Sequence, residues 1–151
     1  MAHADTDTLA RLVRRKHDCL AQLLDLGREQ QALVNDGDLN DLLRVLAAKQ
    51  RWLAVLQETQ RELVPFRDQV PAERRWASEA ERQQCAHLLK RCEAMLGEIV
   101  AQEKQSEMVL QQRRDDASAR LQGMHTADKA RTAYVTNGAE PIRQLDLSSE
   151  G

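Results

Sequence analysis

The sequence predicts an all-α protein, an antiparallel bundle or long hairpin of about three long helices with coiled-coil-like packing and a flexible C-terminal tail. Three observations carry this. Leucine-rich positions recur in steps of three and four, which places them on one helix face. Glycine and proline are scarce (6 and 3) among 151 residues. Aromatic residues make up only 3% of the chain, while 30% is charged and 42% hydrophobic. That is a helix-rich composition with enough periodic apolar content to fold.

The first helix is expected over about 8–34. Asp5 or Asp7 serves as its cap, and its stripe is Leu9, Leu12, Lys16, Cys19, Leu23, Leu26, Gln30 and Leu33. Asn35-Asp36-Gly37-Asp38 then places four poor helix formers in a row. Gly37 suits a left-handed C-cap, and Asp38 can accept hydrogen bonds from the amides opening the next helix. The second helix is expected over about 39–63, where the same spacing returns as Leu39, Leu42, Leu46, Lys49, Leu53, Leu56, Gln60 and Leu63. The polar residues in these stripes either set register or extend their heads to solvent at the margin, the second being the simpler reading.

Pro65 and Pro71 delimit a linker, because proline lacks a donor and pushes its predecessor out of the helical region. The third helix is expected over about 72–125, with either Pro71 in its first turn or Ser78-Glu79-Ala80-Glu81 as a capping box. Its apolar track is Leu89, Cys92, Leu96, Ile99, Val109 or Leu110, Ala117, Leu121 and Met124. From Ser78 to His125 it would measure about 72 Å, against roughly 37–39 Å for each of the first two helices. Helices one and two can fold back as a hairpin beside half of helix three. They can also stand nearly end to end along its whole length, which the length match favours. Residues 1–125 thus form the helical domain, and 126–151, with Asn137-Gly138 and Pro141, a flexible tail carrying Ala133-Tyr134-Val135 and Leu145-Asp146-Leu147.

Catalytic and cofactor signatures are missing. The six glycines stand apart, so no phosphate loop forms, and neither GxSxG nor HExxH occurs. His17, Cys19, Cys85, His87 and Cys92 are the best metal candidates, but their spacing departs from the short ligand steps of zinc sites. Buried small core thiols are the simpler reading. No catalytic residue, cofactor or metal is therefore expected. A net charge of −2 argues against nucleic acid as partner, and no apolar run is long enough for membrane insertion. The first residues lack the basic and apolar segments of a signal peptide, so a cytoplasmic location with reduced thiols is expected.

The run Ala32-Leu33-Val34-Asn35-Asp36-Gly37-Asp38-Leu39-Asn40-Asp41-Leu42-Leu43, followed by Ala48-Lys49-Gln50-Arg51-Trp52-Leu53, resembles the FlgN family of flagellar export chaperones. Tyr134, Gly138 and Leu145-Asp146-Leu147 are similar to that family's C-terminal end. The resemblance implies a cytoplasmic helical chaperone of flagellar type III secretion. Its partners would be hook-associated proteins and components of the export apparatus, with a homo-oligomer also open. It places client binding towards the C-terminal half. The stripe weakens there after Val100, with Gln102, Glu103, Ser106 and Arg113 where core would stand. The expected client-binding residues are Met108, Leu110, Leu121, Met124 and Tyr134. The alternative is a non-enzymatic coiled-coil adaptor or dimerisation module.

Overall fold

The computed structural model describes residues 2–138. The chain runs through α1 (Ala2–Asp36), α2 (Leu39–Arg67), one 3₁₀ turn (Pro71–Glu73) and α3 (Glu79–Gly138). It divides into two compact units, Met1–Val109 and Leu110–Gly151.

In the first unit α1 and α2 fold back on each other. The break between them is short because each end is closed locally. The Gly37 amide donates to the Leu33 carbonyl at 2.7 Å, ending α1. The Asp38 carboxylate then accepts from the Asn40 amide at 2.7 Å and caps α2. Gly37 is not left-handed, since no described residue has a positive φ. Its role is steric instead: a Cβ at this position would lie inside van der Waals contact of the Leu33 backbone. The hairpin, and not the end-to-end arrangement, is the geometry formed.

Two apolar clusters run along α1. The lower one joins Leu9, Leu12 and Val13 to Leu63 and Cys85, with Phe66, Trp76 and Leu88 packed against it. The upper one joins Cys19, Leu20, Leu23 and Leu24 to Cys92 and Met95, flanked by Trp52, Leu56 and Ile99. Ascending α1 thus means descending α2 and ascending α3, so the first unit is an up-down-up three-helix bundle.

The expected α1 stripe faces inward as read, but α2 and α3 are rotated. Leu42, Lys49, Leu56 and Leu63 face the core with Val45, Trp52, Thr59 and Phe66, while Leu39, Leu46 and Leu53 are exposed. On α3 the inward seam is Cys85, Leu88, Cys92, Met95, Ile99, Gln102, Ser106 and Val109, while Leu89 and Leu96 are exposed. In both helices half of the expected seam slips by one residue in the same direction.

Polar bonds explain the slip. Thr59 is fully buried; its hydroxyl donates to the Val55 carbonyl at 2.7 Å and accepts from Arg15 Nε at 2.7 Å. Arg15 continues to Glu62. Lys49, only 8% exposed, donates to Gln30 Oε1 at 2.7 Å and also to Glu103. Gln30 and Lys49 therefore set register and do not extend to solvent. Gln102 Nε2 donates to the Leu24 carbonyl at 3.1 Å, and its amide lies over Gly27, where a Cβ would collide with it.

Element ends differ from expectation at four places. α1 begins at Ala2, so Asp5 sits in its first turn and Asp7 inside it. α2 passes through Pro65 to Arg67, because Phe66 gains contact with the lower cluster and Arg74 Nη2 donates to its carbonyl at 2.7 Å. Pro71 opens only the 3₁₀ turn, and Ser78 Oγ accepts from the Glu81 amide at 3.2 Å, which starts α3 at Glu79. α3 continues past His125 to Gly138, since no proline intervenes before Pro141. Of the tail expected over 126–151, residues 139–151 lie outside those described.

Two stability predictions follow from this packing. Replacing Gly37 by Ala should cost about 1–3 kcal/mol, as overpacking against backbone does. Replacing Lys49 by Met should shift stability by less than about 1 kcal/mol, whereas Glu103→Ala should cost about 1–2 kcal/mol by leaving the ammonium less compensated. Urea unfolding of the three variants against the parent checks both. A destabilisation by Lys49→Met larger than that by Glu103→Ala would contradict the second.

Candidate functional site

The residues expected to bind a client are all exposed, between 45% for Leu110 and 82% for Tyr134. They do not form one cluster. Met108 belongs to the first unit, and Leu110, Leu121, Met124 and Tyr134 to the second. At 3.6 residues per turn, Leu110, Leu121 and Met124 share a face of the helix with Ala117. Tyr134 points well away from that face, and Val135, also exposed, takes the corresponding place. Arg113, Arg114 and Arg120 lie beside this stripe, and Asp128 lies within it. From Leu110 to Val135 every residue but the half-buried Thr132 is exposed. This stretch therefore presents an apolar track with cationic margins.

A second exposed surface, missed from the sequence, belongs to the bundle itself. Leu39, Leu43, Leu46 and Leu53 follow one another in steps of three, four and seven along one side of α2, and all are exposed. Leu89, Leu96 and Val100 do the same along α3. Lys49 and Glu103 join the two helices. Leu46 and Leu53 stand beside Lys49 on α2, as Val100 stands beside Glu103 on α3, so both stripes border the α2–α3 seam away from α1. The leucine periodicity is visible in the sequence, but by itself it points to the core. Its faces are fit to receive further helices.

The cysteines and histidines gather no metal site. Cys19 and Cys92 belong to the upper cluster and Cys85 to the lower. No group of three or more His, Cys, Asp or Glu side chains is arranged to hold a metal among the described residues. All three thiols are free and buried. Cys19 Sγ donates to the Trp52 carbonyl at 3.0 Å, tying α1 to α2. Burial raises the pKa of each thiol, with nearby Arg15, Arg74 and Lys16 opposing the rise at Cys19, Cys85 and Cys92 respectively. Trp76 packs where the linker joins the lower cluster, and Trp52 lies mid-bundle beside the upper one. Thr6 Oγ1 donates to the Arg75 carbonyl at 3.0 Å, holding the linker to α1.

The raised thiol pKa values have a signed consequence for stability. The unfolded chain releases its thiol protons near pH 8.5, and the folded chain releases them only at higher pH. The thiol contribution is therefore unchanged at neutral pH and is lost as pH rises beyond that value. Urea unfolding under reducing conditions should show a falling midpoint between pH 7.5 and 9.5, with a smaller fall in the Cys92→Ala variant. Comparison with family models, with characterised proteins and with solved structures finds no match to this chain.

Proposed function

We propose that this chain is a cytoplasmic export chaperone of the FlgN kind. It binds the helical ends of hook-associated proteins, keeps them from assembling early and delivers them to the flagellar type III export apparatus. The observation that carries the reading is the apolar track Leu110, Ala117, Leu121 and Met124 on a helix whose side chains are open to solvent. A client that assembles through amphipathic helices needs its apolar stripe covered, and a helix bearing a matching stripe does this reversibly. The resemblance in residues 32–53 supports the same reading. No helix of the described residues is long and apolar enough to cross a membrane, which agrees with a partner met in solution.

A second reading, a coiled-coil adaptor that acts outside secretion, is favoured by the exposed leucines of α2. The two separate on one experiment. Co-expression with a hook-associated protein should yield a co-purifying complex, and Leu121→Glu with Met124→Glu should weaken it at least about tenfold, each buried side chain being worth about 1.5–3 kcal/mol. The same pair of substitutions should abolish motility when introduced in the cell. Normal motility on deleting the gene, together with a failure to capture any hook-associated protein, would favour the adaptor.

A further inference from the structure

Near the hairpin turn, on the side of α2 that bears Asp41, Arg44 and Ala48, α1 and α2 part to leave a cleft of about 460 Å³. Leu26, Ala32 and Leu33 of α1 form one wall, and Val45 and Ala48 of α2 form the other. This volume lies within the range of built ligand sites and accommodates a large aliphatic or aromatic side chain. The exposed leucine stripes of α2 and α3 border a different seam, so neither provides cover for this cleft.

The charge around the cleft is one-sided. Glu29, Asp41 and Arg44 stand at its mouth. The Arg44 guanidinium is taken up by Asp41 on its own helix, and Arg28 by Asp25 at 3.2 Å. Glu29 and Asp36 then carry charge that no cation bridges among the described residues. Asp38, beside them in the turn, uses its carboxylate on a backbone amide. An apolar slot with Glu29 at its mouth and Asp36 two turns further along the same face of α1 is complementary to an apolar side chain flanked by cations, and such complementarity steers encounter and fixes register.

We propose that this cleft docks a segment of a partner protein in which a leucine, methionine or phenylalanine stands between lysines or arginines. The apolar side chain enters between Leu33 and Ala48. The flanking cations meet Glu29 and Asp36. The inference is independent of the export-chaperone reading, since it uses a different unit of the chain and different side chains.

The test uses the full chain, isotopically labelled, and two short synthetic peptides: one with leucines spaced among lysines, the other with glutamates in place of the lysines. The lysine peptide should shift the amide resonances of Leu26, Leu33, Val45 and Ala48, and the glutamate peptide should not. Ala32→Trp, which fills the cleft from an exposed position, should weaken binding at least about tenfold, equivalent to about 1.4 kcal/mol. Glu29→Lys with Asp36→Lys, both at exposed positions, should weaken it similarly without touching the core. Raising salt should weaken the parent and spare the residual binding of the charge variant. Failure of the lysine peptide to bind at millimolar concentration overturns the proposal. So does binding unchanged by the Glu29→Lys, Asp36→Lys chain, or a set of shifts confined to Leu46, Leu53, Leu96 and Val100.

Discussion

The Lys49 ammonium is the point that sets the mutual register of the three helices. It sits 8% exposed between Gln30 of α1 and Glu103 of α3, donating to both. A charge removed from water must be met by partners, and only one mutual height of the three helices brings both oxygens to it. The clusters on either side obey the register so defined. Leu63 and Cys85 fall beside Leu9 and Leu12, while Leu56 and Cys92 fall beside Cys19 and Leu20. Sliding α1 by a turn would place the ammonium against Leu26 or Val34 in place of the Gln30 amide, at a cost that the surrounding leucines could not offset.

The bundle interior is accordingly more polar and smaller in side-chain size than a leucine-rich chain leads one to expect. Thr59, Cys19, Cys85, Cys92, Ser106 and Gly27 line the seams, and small residues let helices approach closely. Gln102 shows the consequence: its amide fits over Gly27 and reaches the Leu24 carbonyl because neither position carries bulk. The leucines displaced from this interior are not wasted surface. Those of α2 and α3 are spaced as coherent seams, and an exposed apolar seam on a folded protein marks a surface made for contact.

The exposed surfaces are distributed in a corresponding way. The first unit has a polar-keyed core, an outer leucine surface and an acid-rimmed cleft near its hairpin turn. The second carries an apolar track flanked by arginines on a single helix. The three thiols are buried inside the first unit, where burial makes them poor nucleophiles.

Helix content, the break at Asn35-Asp36-Gly37-Asp38, the α1 seam and the Asp38 cap were legible by inspection of the chain, whereas the fold-back of α2 and the choice of Ser78 over Pro71 as the start of α3 were not. Each legible feature depends on local chemistry: periodicity, an unsatisfied amide near a carboxylate, four poor helix formers together. The candidate client residues were recognisable as apolar and sparse, but whether Tyr134 shares a face with Leu121 depends on an uninterrupted helix, which the composition after Thr126 did not suggest. The sequence by itself determined that α2 and α3 are helices with leucine at heptad spacing. Only the tertiary structure decided which side of each faces inward. Leu39-Leu46-Leu53 and Val45-Trp52-Thr59 flank the same shared positions, and so do Leu89-Leu96 and Leu88-Met95. Periodicity treats the two choices alike. The hydrogen-bonding needs of Thr59, Lys49 and Gln102, met only across helices, broke the tie.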